Sequence, residues 1–290
     1  MNTPQKNILR RTAAVLAFAS LSALPAHAVL LAIDTFEDYN TTTNIRLQPG
    51  GGTGWSGAWN VLNDGSSSNP TAGTAMVTDT EITYTYGGAT LGGGKSLLLN
   101  NASNGTQRNV FSSVNTEGSD YYVSMIFKAT DSGFVGWQAK DGDVDYLNDS
   151  IGYTSSTSGA RVQNQSSAGG TLTAGTTYFM VMEYTGWNGA NYKTVNVWIN
   201  PNTGDQTNSS VSATYTDMDA DAGGSSGFVG IYARTASFGS NAIYVDHLRI
   251  GTDWTSVTAS TSAIPEPSSA SVLAAGAAML FALFGRRRRA

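Results

Sequence analysis

The chain has 290 residues and a formal net charge of −5, from 16 lysines and arginines against 21 aspartates and glutamates. It contains no cysteine, which excludes disulfides, thiol catalysis and cysteine-ligated metal sites. The acidic balance disfavours nucleic acid and anionic membrane surfaces as partners.

The first 28 residues have the pattern of a secretory signal peptide. A basic segment, an apolar segment and a small-x-small cleavage site follow one another: Lys6, Arg10 and Arg11, then residues 12–24, then Ala26-His27-Ala28. We therefore expect the Sec translocon and signal peptidase to act on the chain, so that the mature protein begins at Val29. The mature chain then keeps a single histidine, His247, which excludes a multi-histidine metal site.

Residues 29–257 contain short runs in which apolar and polar residues alternate, a period of two that predicts β-strands. These runs lie at residues 80–86, 121–128, 178–184, 192–199 and 242–250. Between two of them, Gly186-Trp187-Asn188-Gly189 predicts a hairpin turn. No long stripe of period 3.6 occurs here, so the sequence predicts an all-β fold, an antiparallel sandwich or barrel.

Three segments of this body resemble secreted bacterial LamG-like domains. They are an Asp34-Thr-Phe-Glu-Asp-Tyr39 opening with the glycine- and tryptophan-rich residues 51–59, a strand ending in Asn200-Pro201, and the closing residues 243–254. The resemblance implies a concanavalin A-like antiparallel jelly-roll β-sandwich over residues 29–257, with its first and last strands adjacent. A concave sheet that faces a glycan is frequent in such domains.

Two acidic loops are candidate calcium sites, because alternate aspartates can supply several of the oxygen ligands that Ca²⁺ prefers. The first candidate set is Asp141, Asp143, Asp145 and Asp149, and the second is Asp217, Asp219 and Asp221. Neither loop has the glycine and bidentate glutamate of an EF-hand. The alternative for both is a solvated acidic turn.

Three tryptophans are candidates for glycan stacking, because sugars present C–H faces that pack on aromatic rings. Trp187 stands at the predicted hairpin turn, while Trp55 and Trp59 stand in a glycine-rich segment. Trp198 and Trp254 lie in or beside predicted strands, which favours the core.

The glutamates give no sign of glycoside hydrolysis. Glucanases of the concanavalin A-like class carry Glu-x-Asp-x-x-Glu on one strand, because retaining hydrolysis needs two carboxylates about 5 Å apart. None of the mature glutamates upstream of the tail lies in that pattern; they are Glu37, Glu81, Glu117 and Glu183. We therefore expect no enzymatic activity.

The C-terminal residues 264–290 follow a short linker at residues 258–263. They combine the motif Ile264, Pro265, Glu266 and Pro267, an uncharged apolar run at residues 270–284, and four arginines: Arg286, Arg287, Arg288 and Arg289. This order resembles the PEP-CTERM sorting signal, which exosortases process in Gram-negative bacteria. The resemblance implies a single hydrophobic helix that anchors the chain transiently in the inner membrane, with the arginines as a cytoplasmic stop. The alternative is an ordinary C-terminal anchor.

Together these features predict an exported, non-enzymatic protein of the cell surface or extracellular matrix that associates with exopolysaccharide and binds carbohydrate. Without residues 1–28 and 264–290, 9 basic and 20 acidic residues remain, a net charge of −11. A calcium-dependent lectin or adhesin is the second hypothesis, and a polysaccharide-active enzyme is the third. The sequence names neither a glycan nor a bound metal.

The sorting hypothesis predicts the covalent form of the mature protein. Intact-mass measurement of protein from a Gram-negative host that encodes an exosortase should show a chain without residues 1–28 and without Arg286–Arg289. A mass that still includes the four arginines would contradict processing of the tail.

Overall fold

The computed structural model describes thirteen stretches of the chain between Val29 and Ser260. They are residues 29–55, 57–62, 75–100, 108–115, 119–130, 134–140, 150–154, 159–162, 173–187, 192–203, 213–215, 228–236 and 242–260. The signal peptide, the sorting motif, the arginines and both acidic loops lie outside these residues. None of the helices within these stretches has the length and apolar character needed to cross a membrane.

The larger of two main sheets has eight strands in the described part of the chain. They run in the order β14-β13-β12-β8-β16-β6-β3, and β1 also pairs with β16. Every pairing is antiparallel. The strands are β1 (Leu30–Asp34), β3 (Ala75–Thr78), β6 (Ser96–Asn100), β8 (Tyr121–Ala129), β12 (Thr177–Thr185), β13 (Thr194–Ile199), β14 (Ala213–Tyr215) and β16 (Ala242–Gly251).

The second sheet has six described strands in the order β11-β10-β9-β15-β7-β2, again antiparallel. The strands are β2 (Asn60–Leu62), β7 (Arg108–Asn115), β9 (Phe134–Lys140), β10 (Ser150–Thr154), β11 (Gly159–Val162) and β15 (Phe228–Ala236). The backbone of β15 approaches β6, and β11 approaches β13 and β14. The two sheets therefore face each other as a β-sandwich, which confirms the predicted all-β class.

The main core lies on the inner face of the eight-stranded sheet. On β8 the odd-numbered residues enter this core, among them Val123, Met125 and Phe127. On β13 Val195 and Val197 do the same. The predicted alternation on both strands is confirmed, as is the hairpin that joins β12 to β13.

The outer face of the same sheet is buried as well. A separate hairpin of β4 (Thr83–Tyr86) and β5 (Ala89–Gly92) covers it, together with the short helix α1 (Trp254–Thr258). Together with outward-facing residues of β8, β12 and β13 they form a second apolar cluster, namely Ile82, Leu91, Tyr122, Ile126, Phe179, Val181, Trp198, Trp254 and Val257. Trp198 and Trp254 are thus core residues, as predicted.

Three side-chain hydrogen bonds hold helix α1 in place. Asp253 caps the helix by accepting a hydrogen bond from the Ser256 amide at 2.9 Å. The Trp254 indole donates to the Tyr86 hydroxyl at 3.0 Å, and the Ser124 hydroxyl donates to the Val257 carbonyl at 2.6 Å. Since Thr258 is buried at the helix end, the packed body continues past residue 257, where the predicted linker begins.

The first and last strands of the body lie side by side, as the LamG-like resemblance implies. Residues 32–34 of β1 pair with residues 248–250 of β16. The Val29 amide donates to the Thr252 hydroxyl at 3.1 Å, and the Thr252 amide donates to the Val29 carbonyl at 2.9 Å. The described body therefore begins beside the end of its last strand, just before helix α1.

Beneath the hairpin and the helix, β16 buries three ionisable side chains: Asp246, His247 and Arg249. The Asp246 carboxylate accepts hydrogen bonds from the Gly93 amide at 3.1 Å and the His247 amide at 2.5 Å. Burial nevertheless raises the pKa of Asp246 to about 8. Burial, and then the charge of Arg249, lower the pKa of His247 to about 4.

The raised pKa of Asp246 makes stability depend on pH. The unfolded chain loses this proton near the ordinary pKa of 3.8, and the folded chain loses it near 8. The proton's contribution to stability is therefore full below about pH 4 and is lost as the pH rises to 8. Between about pH 6.5 and 8, above the titration of unfolded histidine, the wild type should lose up to ~1.4 kcal/mol of unfolding free energy per pH unit relative to Asp246→Asn.

Urea unfolding at several pH values measures this difference. Val195→Ala removes a buried apolar side chain from the main core, on the opposite face of the eight-stranded sheet, so its difference from wild type should not change with pH. Parallel pH curves for wild type and Asp246→Asn would show that Asp246 does not titrate as described.

Candidate binding cleft

The site begins at the end of β1, where Asp34 is buried. One carboxylate oxygen accepts the Phe36 amide at 2.8 Å. The other accepts the Tyr39 hydroxyl at 2.9 Å and the Trp59 indole N–H at 2.7 Å. One side chain thus joins the strand, the turn that follows it and the segment that leads into β2.

The turn after β1 has an unusual backbone because of this carboxylate. Phe36 has a φ of 59°, in the left-handed region that few non-glycine residues adopt. Its amide points at Asp34, and its side chain is buried in the main core. The hydrogen bond and the burial of the ring both offset the strain at this position.

The glycine-rich segment at residues 50–54 is bound along β1. Ile33 and Thr53 exchange two main-chain hydrogen bonds, of 2.9 and 2.8 Å. The Gly51 amide donates to the Tyr39 hydroxyl at 2.8 Å, and the Gly52 amide donates to the Asp38 carboxylate at 3.2 Å. Tyr39 therefore accepts from the loop while it donates to Asp34.

Two glycines of this segment are required by the close approach. Gly54 has a φ of 86°, and a Cβ there would lie 1.9 Å from the Leu31 carbonyl oxygen. Gly52 has a φ of 67°, and its Cβ would lie 2.4 Å from the Ile33 carbonyl oxygen. Any side chain at either position would push the segment away from β1.

The segment encloses an open cleft of about 250 Å³. Its lining consists of Gly50, Gly51, Gly52, Gly54, Trp55, Gly57 and Ala58. Trp55 is half-buried, and its indole N–H donates to the Ile33 carbonyl at 3.1 Å. Its ring lies 5.0 Å from that of Trp59, centroid to centroid, at an interplanar angle of 49°.

Burial shifts the pKa values of two groups in this network upward. Burial is the main cause that raises the pKa of Asp34, and its three hydrogen-bond donors oppose the shift. Burial and the nearby charge of Asp34 also raise the pKa of the Tyr39 phenol. Tyr39 is therefore a protonated donor throughout the physiological range.

The three predicted stacking residues have different positions. Trp55 lines the cleft, as its candidacy requires. Trp59 does not fit the prediction: it is 1% exposed, because Asp34 holds its N–H inside the core, so it supports Trp55 and has no free face. Trp187 is half-buried against Tyr192, 4.8 Å between ring centroids, at the far end of β12.

No further metal candidate emerges from the described residues, among which no group of three or more histidines, aspartates or glutamates could hold an ion. The calcium loops, Asp141 to Asp149 and Asp217 to Asp221, remain predictions outside these residues. The sequence pattern alone predicts no role in the site for Asp34 or Tyr39. Their signal was an aspartate at a strand end followed by a tyrosine five residues later.

No protein-family model matches the chain, and neither does any curated protein. Several solved structures are similar at low identity. An alginate lyase of polysaccharide lyase family 7 is 12% identical over 53% of this chain and 77% of its own, with a TM-score of 0.36. TmCBM61 in complex with β-1,4-galactotriose is 9% identical over 67% of this chain and 88% of its own, with a TM-score of 0.29.

A botulinum neurotoxin type C, whose cell entry depends on two ganglioside molecules, is 10% identical, with a TM-score of 0.38. The match covers 80% of this chain and 49% of the toxin structure, and a receptor binding domain is likewise matched over only 47% of its length. This chain thus spans about half of those two structures. At these TM-scores, the similarities establish no function for the chain.

The glycine requirement yields a matched pair of variants. Gly54→Ala should lower the free energy of unfolding by about 2–4 kcal/mol, because the methyl group meets the Leu31 carbonyl and the residue has positive φ. At Gly57, in the same cleft, an added Cβ would have no atom within 4 Å. Gly57→Ala should therefore change the free energy of unfolding by less than about 0.5 kcal/mol. Urea unfolding of both variants tests this; equal stabilities would mean that the segment is not held against β1.

Proposed function

We propose that the protein is an exported, non-enzymatic surface or matrix protein whose concanavalin A-like sandwich binds carbohydrate at the Trp55 cleft. The observation that carries this proposal is the state of Trp55. It is a half-buried indole, fixed at its N–H and backed by a second tryptophan, and it lines an open cleft.

A fixed indole is suited to sugar binding because its ring is ordered before the ligand arrives. The hydrogen bond to Ile33 and the contact with Trp59 restrict the rotamers of Trp55, which reduces the entropy lost on binding. Its N–H is already committed, so the ring offers its apolar surface to a sugar C–H face. The glycine backbone around it leaves room for hydroxyl groups to reach main-chain polar atoms.

The absence of an enzymatic role is also a proposal. The described carboxyl groups with raised pKa, Asp34 and Asp246, are both 1% exposed or less. Asp34 is engaged in three hydrogen bonds, and Asp246 lies under the covering hairpin. These groups are placed to hold the fold together and have no access to a polysaccharide.

Export and sorting by exosortase are supported by the sequence motifs and agree with the geometry of the body. Val29, the predicted mature N-terminus, pairs with Thr252 at the end of the last strand. The motif at Ile264 starts four residues after Ser260, within about 14 Å of the body.

Affinity electrophoresis in gels containing a polysaccharide tests the binding proposal. The probes are β-galactan, laminarin, dextran and hydroxyethylcellulose, which are neutral, with alginate and polygalacturonate as anionic polymers. We expect retardation in at least one gel and a loss of affinity of about tenfold or more in Trp55→Ala, since a buried stacking tryptophan typically dominates such a site.

Trp187→Ala is the matched control, because Trp187 is the other half-buried candidate tryptophan and packs on Tyr192 elsewhere in the fold. It should keep the affinity of the wild type. Loss of binding in Trp187→Ala with retention in Trp55→Ala would move the site to the β12–β13 hairpin. If no gel retards the protein, the proposal that it binds carbohydrates of these kinds is contradicted.

A further inference from the structure

We propose that the Trp55 cleft selects neutral glycans and rejects anionic ones such as polyuronates. This inference rests on the proposed carbohydrate-binding function and adds the chemical class of the ligand. The described lining of the cleft, an indole and the backbone of glycines and an alanine, carries no charged side chain.

Several N–H groups in and beside the cleft cannot receive a carboxylate because they donate inside the protein. Anion sites in proteins use arginine or lysine side chains, or several main-chain amides that point at the ligand. Here the amides of Gly51, Gly52 and Thr53 are already donated to Tyr39, Asp38 and Ile33. The indole N–H of Trp55 is likewise used inside the protein.

A negative charge stands at the rim of the cleft. The exposed Asp38 carboxylate accepts the amide of Gly52, which is itself a lining residue. The Cβ position of Gly52 lies 3.1 Å from the Trp55 indole nitrogen, so a uronate placed on Trp55 would approach a like charge. In water such a pair repels at low salt, and the repulsion is screened at high salt.

The positive charge of the neighbouring Lys95 is balanced by the negative charge of Glu37, so the charge of Asp38 remains unbalanced. The Lys95 ammonium donates to the carbonyls of Glu37 and Tyr39, at 2.9 and 2.7 Å, and its amide donates to the Glu37 carboxylate at 2.8 Å. These bonds fasten β6 to the turn after β1. The net charge of −11 on the body adds a long-range repulsion of the same sign.

Neutral pyranoses fit the same surface. Their ring C–H groups can pack on the indole, and their hydroxyl groups can donate to main-chain carbonyls, which a carboxylate cannot do. Binding of this kind involves no ion pair, so its affinity should hardly change with ionic strength.

The test compares one polymer in two charge states. β-Galactan and laminarin, whose C6 hydroxyls are free, are oxidised at C6 to their uronate forms, which keeps the linkage and adds carboxylates to the sugars. For dextran and hydroxyethylcellulose, whose O6 atoms are linked or substituted, the carboxymethylated polymer takes the place of the oxidised one. We expect the oxidised polymer to bind at least tenfold more weakly than the neutral one at about 20 mM NaCl, and the neutral affinity to stay within about twofold up to about 300 mM NaCl.

Asp38→Asn separates charge from structure, because the amide oxygen can still accept the Gly52 N–H. The affinity of this variant for the neutral polymer should stay within about twofold of the wild-type affinity. At low salt, the ratio of its affinities for the neutral and the oxidised polymer should be about threefold smaller than in the wild type. Trp55→Ala should weaken binding of the neutral polymer in every salt condition.

The outcomes distinguish the two levels of the proposal. Equal or stronger binding of the oxidised polymer, or retardation by alginate or polygalacturonate alone, would overturn the neutral-glycan inference and leave carbohydrate binding standing. Binding to no polymer in either charge state would overturn the proposed function itself.

Discussion

The structure around the cleft depends on one buried carboxylate, that of Asp34. Taking a carboxyl group out of water is unfavourable, and its raised pKa is the direct result. Three donors offset this cost: the Phe36 amide, the Tyr39 hydroxyl and the Trp59 indole. Two of these donors belong to the turn after β1 and the third to the segment before β2, so satisfying the carboxylate also fixes where the strand, its turn and that segment meet.

The cleft is a consequence of that arrangement. With Tyr39 and Trp59 held by Asp34, the glycine-rich segment can dock on β1 only if its residues have no side chains where the backbones touch. Trp55 follows directly on this docked segment and rests on Trp59. A solvent-facing aromatic surface is thereby supported from below by a core residue, which is how an exposed ring can be rigid.

Much of the fold follows from local sequence, as β8, β12 and β13 show. The side-chain period of a strand is two, so the alternation in these strands predicts which residues lie on each face of the sheet. Local pattern does not reveal what covers a face. The sequence predicts a strand around Ile82 and a core position for Trp254. The place of both residues in a second layer over β8 depends on contacts between distant segments, which the local pattern does not contain.

The candidate site was predictable to a smaller degree. Trp55 and Trp59 stand in the same glycine-rich segment, four residues apart, and composition treats them alike. The structure separates them because Asp34, 25 residues before Trp59, captures only the second indole. A long-range hydrogen bond of this kind leaves no periodic trace in the sequence, so the exposed and the buried tryptophan could not be told apart.

The central claim is that a sugar ring occupies the surface of Trp55. The most direct measurement is an NMR titration of ¹⁵N-labelled protein with an oligosaccharide fragment of the neutral polymer that retards the protein in the gels. The titration is followed through the tryptophan indole and glycine amide resonances. The account predicts that the signals of Trp55, Gly52 and Gly54 shift together and saturate, while the indole signal of Trp187 stays in place. Saturable shifts confined to Trp187 or to the six-stranded sheet, with Trp55 unchanged, would contradict it.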